Sequence, residues 1–146
     1  MSSTTPTALR DLAVGDVIWT PVIVDQRDFG SPTSKSTMAK RIKKGLPVLR
    51  LCIVLATGET SVQVTYMATF GDSDTLPSHL DKTMFYPFEP VLPSGGPYKP
   101  LPVLQDARHS WASLRARYTI TGNPVSKIEL RVPASSAALI LASMKS

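Results

Sequence analysis

Few residues in this chain could do chemistry on their own, and they are scattered. Two histidines, His79 and His109, stand apart from any cysteine or paired carboxylate at metal-ligand spacing, so no metal site is expected. Asp106, His109 and Ser110 bring three triad residue types close together in sequence. Triads are assembled in space, however, and no strand-turn-helix nucleophile elbow surrounds Ser110. The segment Asp106 to Ser110 is therefore read as a helix start or a turn. Gly30-Ser31-Pro32-Thr33-Ser34-Lys35 has the flavour of a phosphate loop. It lacks the second glycine and the Gly-Lys-Ser/Thr ending, and Pro32 removes an amide that would cradle a phosphate. Cys52 sits in the most apolar stretch, where packing is its ordinary role, with Arg50 on the same strand face as the one nearby cation. No cofactor is expected.

The cations are better organised than the nucleophiles. Lys35, Lys40, Arg41, Lys43 and Lys44 fall in one stretch, and Arg108, Arg115, Arg117, Lys127 and Arg131 form a more dispersed second set. A phosphate-contacting surface is one reading of the first cluster, and a solvated loop that keeps the protein soluble is the other. Among the aromatics, Trp19, Phe70 and Trp111 lie beside apolar strands and are expected in the core. Phe85-Tyr86-Pro87-Phe88 suits either a core strand or a stacking surface for bases or proline-rich peptides.

Short strands must position these residues. Val14 to Asp25 alternates in strand fashion, with Pro21 at an edge or bulge because it has no N–H to donate. Asp28 to Lys44 reads as a long polar loop with one helical turn near Met38–Ile42. Pro47 to Leu55 is a nearly continuous apolar run interrupted by Arg50, as for a strand buried on both faces. Across Thr57-Gly58-Glu59 it meets Ser61 to Phe70 in a hairpin. Phe85–Phe88 is a further short strand, and Leu92 to Pro102 is irregular and proline-rich. Ser113–Thr121 and Ser126–Val132 read as a second hairpin joined at Gly122-Asn123-Pro124, and Pro133 opens a short C-terminal helix.

The totals agree with a mostly β domain: 13 prolines against 8 glycines favour turns and short strands over long helices. A net charge of +5 favours an acidic partner. One cysteine excludes an internal disulfide framework, and no apolar run is long enough for a membrane span, so the expectation is an intracellular protein, cytoplasmic or nuclear, with no membrane partner. Residues 1–12 read as a flexible terminus and 13–146 as one domain.

The succession Gly15-Asp16-Val17-Ile18-Trp19-x-Pro21, a polar basic loop, Pro47-Val48-Leu49-x-Leu51, and a Val-x-Val strand ending Ala68-Thr69-Phe70 resembles the PemK/MazF-like family. The resemblance spans Val14 to Phe70. It implies a small SH3-like barrel, a homodimer and, for many family members, endoribonuclease activity. The family's arginine and serine positions hold Leu46 and Cys52 here, and of its Thr-Ser pair only Thr69 carries over.

The expected fold is thus a mostly β, SH3-like or PemK-like barrel of about five to seven strands with a C-terminal helix. The expected function is a non-catalytic binding module whose partner is RNA or an acidic protein surface, using Lys35, Lys40, Arg41, Lys43 and Lys44 with Arg50 and Thr69. The first alternative is an endoribonuclease in which Arg41, Lys44 or Arg50 stabilises the phosphate and Thr69 positions it. The second is a structural homo-oligomer subunit with Leu92 to Pro102 as a contact arm.

Overall fold

A computed structural model describes residues 4–28, 36–68, 76, 80–89, 98–105, 110–122 and 124–144. The elements in chain order are β1 (Thr4–Thr7), β2 (Asp16–Val22), α1 (Thr37–Lys43), β3 (Val48–Thr57), β4 (Ser61–Ala68), β5 (Phe85–Phe88), β6 (Ser110–Ser113), β7 (Tyr118–Thr121), β8 (Val125–Arg131) and α2 (Ala134–Ser143). Single 3-10 turns lie at Leu9–Asp11, Gln26–Asp28 and Lys82–Met84. The fold is mostly β, with the described strands in one antiparallel sheet.

Strand order is β1-β8-β2-β3-β4-β6-β5, with β7 also on β4. The β3–β4 hairpin forms as its turn residues suggest, pairing Cys52 with Tyr66 and Val54 with Val64 before a bulge near Ala56. The outer edge of β4 is shared: Ser61 to Val64 pair with β7, and Met67 and Ala68 pair with β6. Pro21 pairs with Leu49 of β3, and the β8 ladder has already ended at Trp19. Proline therefore sits where β2 is paired on one side only, as its missing N–H requires.

Four expectations change. β7 and β8 do not form a hairpin: the former joins β4 and the latter joins β2. Pro124 enters the junction with no N–H to give to a ladder, and each strand finds a longer neighbour elsewhere. A β7–β8 ladder would close β2-β3-β4-β7-β8 into a ring. None is present among the described residues, so the sheet is open where a barrel was expected. Residues 4–12, expected to fray, contribute the edge strand β1 on β8 and a 3-10 turn whose Leu9 is fully buried. Ser110, expected in a turn, begins β6, which brings the described strands to eight.

Strand alternation sends residues to two cores. On one face Val17, Ile53, Leu55, Ile128, Leu130 and Val132 pack against Ala137 and Ile140 of α2. On the other, Ile18, Val22, Cys52, Val54, Val62, Val64 and Tyr66 enclose Leu9, Leu12 and Ile42. A smaller cluster of Leu76, Leu80, Phe85 and Trp111 lies beside β5 and β6. Gly15 fastens the start of β2 to the end of β8. Its carbonyl accepts from Val132 N–H at 2.8 Å, its φ is +96°, and a Cβ there would meet the Val132 carbonyl oxygen at 2.1 Å.

Candidate binding surface

The basic cluster becomes a helix because its ends are satisfied locally. Ser36 is the N-cap, its hydroxyl accepting from the Ala39 N–H at 3.1 Å. At the other end Gly45 adopts φ +71°, its N–H donates to Ile42 O at 3.0 Å, and Leu46 N–H donates to Arg41 O at 2.9 Å. That pair of bonds is a Schellman closure, which calls for glycine at the left-handed position. Ala39 and Ile42, three apart, turn inward, while Lys40, Arg41, Lys43 and the C-cap Lys44 are exposed. Cations in the last turn also suit the helix dipole, so α1 gains stability from the charges it displays.

Gly45 reverses the chain so that Leu46 and Pro47 lie alongside α1. Arg41 folds back over them, its Nε donating to the Pro47 carbonyl at 2.9 Å. Between α1 and the start of β3 runs an open groove of about 590 Å³ lined by Pro21, Thr37, Arg41, Pro47, Val48 and Leu49. Its floor continues along one face of the β2–β3 ladder, where Pro21 is opposite Leu49 and Trp19 opposite Leu51. Leu49 is 55% exposed, Ile23 51%, Leu46 40% and Trp19 36%. The expectations that Trp19 is core and that β3 is buried on both faces throughout are therefore corrected: the first residues of β3 leave one face bare. Trp111, Phe85, Tyr86 and Phe88 are buried, so that cluster serves the core and offers no stacking surface.

Of the residues singled out in sequence, Lys40, Arg41, Lys43 and Lys44 are brought together on α1. Among the described residues, no carboxylate forms a salt bridge with Lys40, Arg41 or Lys44. Arg50 is turned to the opposite face of β3 from Leu49. Its guanidinium lies 5.7 Å from the Tyr66 ring centre, and its Nη2 donates to Met67 O at 3.3 Å. Lys35, Thr69 and Phe70 lie outside the described residues, as do His79, Asp106, Arg108, His109 and most of the Leu92 to Pro102 stretch.

The dispersed set of cations was legible by type but not by role. Arg115 grips Asp28 with two bonds, Nε at 2.6 Å and Nη2 at 2.8 Å, and the Asp28 side chain is 1% exposed. Arg131 reaches Asp16 at 2.9 Å. Arg117 makes only a long contact with Gln63. Both ion pairs join residues remote in sequence, and no local spacing signals them.

Near Asp28 and Arg50 lies the second concentration of polar groups. Among the described residues the Tyr66 hydroxyl is buried with no hydrogen-bond partner. Burial raises its pKa first, and the Asp28 carboxylate raises it further. The Ser113 side chain eases ionisation slightly without reaching hydrogen-bond geometry. Thr65 Oγ1 donates to the Ser113 carbonyl, and Tyr118 OH to the Ile23 carbonyl at 2.8 Å. Burial pushes the Cys52 thiol up to about 12, with Arg50 opposing it, and Tyr118 likewise to about 12. None of these three is a proton acceptor at neutral pH. Among the described residues no His, Cys, Asp and Glu side chains gather to hold a metal, and no helix is long and apolar enough to cross a membrane.

Comparison with known proteins leaves the argument on these residues: no protein-family model matches the chain, and searches of curated proteins and of solved structures return no significant match.

Proposed function

We propose that this protein is a non-catalytic binding module that docks an anionic macromolecule on α1 and the adjoining β2–β3 face. The observation that carries this reading is the exposed row Lys40, Arg41 and Lys44, unbridged by described carboxylates, beside a groove lined by exposed Leu49, with exposed Leu46 next to its Pro47 wall. Each half is ordinary on a protein surface. Their contiguity is what a docking site needs: charge to steer the encounter and apolar area to hold the partner.

The endoribonuclease alternative draws support from Arg50 over the Tyr66 ring. Cleavage through a 2′-hydroxyl needs a proton acceptor or donor that works near neutrality, and burial drives Tyr66 and Cys52 away from that role. The binding reading is therefore preferred.

The test pairs chromatography with a nuclease assay. Wild type, Lys40→Glu/Lys44→Glu and the control Lys82→Glu/Lys99→Glu are eluted from a polyanion column by rising salt. Both double variants change net charge equally, so only a localised surface makes the first elute well before the second. Equal elution rejects the α1 surface. Discrete cleavage of mixed-sequence single-stranded RNA by the wild type rejects the non-catalytic reading.

A further inference from the structure

The groove beside α1 has a composition that discriminates between kinds of anion. Its described lining is Pro21, Pro47, Val48 and Leu49 with Thr37 and Arg41, and no aromatic ring is among these described residues. Single-stranded nucleic acid is held by rings on which bases stack and by donors that read base edges. Among the described residues of the β2–β3 ladder the exposed ring is Trp19, on the next cross-strand pair along from Pro21 and Leu49. The guanidinium on the groove wall, Arg41, already spends its Nε on the Pro47 carbonyl. Aliphatic walls instead match aliphatic side chains, and about 590 Å³ falls within the size range of clefts that take a compact apolar group.

The charges complete the argument. Arg41 lines the groove on the helix side with Lys40 and Lys44 exposed beside it, and α1 has no acidic residue in its first turn. An incoming chain would therefore place carboxylates outward toward α1 and aliphatic anchors inward toward Leu49 and Pro47. Resting on the proposal that α1 is the docking surface, we infer that its partner is an acidic protein segment with leucine-like anchors at helical spacing, seated in the Pro21–Pro47–Leu49 groove under Arg41.

The test uses the full chain and a labelled synthetic peptide with leucines at i, i+3, i+4 and i+7 and glutamates elsewhere. A scrambled peptide of the same composition and a single-stranded RNA of equal charge are the competitors. Fluorescence anisotropy reports affinity. Tryptophan emission reports place, because Trp19 is exposed whereas Trp111 is 2% exposed. The patterned peptide should bind and shift Trp19 emission. Leu49→Asp should weaken it about tenfold or more, since an apolar anchor contact is lost and a like charge added. Leu49 is solvent-facing, so this variant should keep its fold, which circular dichroism checks. The milder Leu46→Gln should weaken binding in the same direction.

Equal binding of the scrambled peptide would overturn the anchored groove and leave only a charged surface. RNA binding that Leu49→Asp does not alter, with no peptide binding, would overturn the protein partner while keeping α1 as an anion surface. If neither ligand binds and the column test also fails, the docking reading falls with it.

Discussion

Three ion pairs in this protein have similar geometry and very different surroundings, which makes their energies separable. Removing the charge of Asp28 by Asp28→Asn leaves Arg115 facing an amide inside the fold. Breaking one side of a buried pair costs roughly 3–5 kcal/mol. Arg115 is 18% exposed, so water relieves part of that loss, and the amide oxygen still accepts one bond, which puts the expected cost near the lower figure, about 3 kcal/mol. For a chain of this size about 1 kcal/mol moves the melting temperature by roughly 2–4 °C, so the expected drop is about 6–12 °C. Asp25→Asn breaks a pair whose side chains are 32% and 72% exposed. It should cost less than about 1 kcal/mol. Asp16→Asn falls between them: Asp16 is 3% exposed and also accepts from the Ala13 N–H at 2.8 Å, but Arg131 is 53% exposed and readily hydrated. Thermal melts and urea titrations, with the m-value checked for constancy, give the three costs. Asp28→Leu/Arg115→Met should recover most of the Asp28→Asn loss, because no stranded charge remains. If Asp28→Asn melts within the same few degrees as Asp25→Asn, burial does not set these energies and the argument fails.

Further outcomes follow from single positions. Gly15→Ala should destabilise by more than about 2 kcal/mol, as backbone strain at positive φ adds to a clash with the Val132 carbonyl. Urea unfolding measures it, and a near-neutral result would mean that the β2–β8 junction is looser than its geometry. Tyr66→Phe should be neutral or stabilising by up to about 1 kcal/mol, since the hydroxyl it removes is buried and unpartnered; a loss above that would reveal a bond that the hydroxyl makes. Cys52 and Tyr118 have folded pKa values raised from 9.0 and 10.0 to about 12. The unfolded chain therefore ionises first, so their stabilising contribution is full below pH 9 and declines as the pH rises toward about 12. The urea midpoint followed from pH 8 upward should decline over that window, less so in Cys52→Ala, and native Cys52 should resist a thiol reagent until the protein unfolds.

Sequence periodicity was most informative where pairing is local. The β3–β4 hairpin, β5 and α2 each appear where alternation, turn residues or Pro133 place them, because their signals lie within a few residues of the structure they cause. Pairing between distant strands was not legible. β7 and β8 each carry the alternation of a hairpin arm, yet partner choice depends on what β4 and β2 leave open, which no local pattern encodes. The α1 cations were recognisable as a cluster. That they form a capped helix rests on Ser36 and Gly45, two residues whose types are common in loops as well. Arg115 and Arg131 looked like surface charges because their carboxylates, Asp28 and Asp16, lie far away in the chain.

The bare face beside α1 follows from a mismatch of lengths. α2 has ten residues and spans about 15 Å, whereas the ten residues of β3 span about 33 Å. Ala137 and Ile140 cover the part of the β2–β3 face that holds Val17, Ile53 and Leu55, all at most 3% exposed. From Leu51 onward the same face carries Trp19, Pro21 and Leu49 with no helix above them among the described residues. Pairing and twist require the strands to extend that far, since β2 holds β3 through to Val22 opposite Val48. A sequence selected only for stability would place polar residues at these outward positions, as it does at Ser126 opposite Trp19. Leu49 and Ile23, each about half exposed, instead leave much of their apolar surface in water. Polar replacement of Leu49 or Ile23 should therefore cost little stability while weakening the docking proposed for this face. Such a separation of stability from binding is the outcome that the proposed docking surface requires.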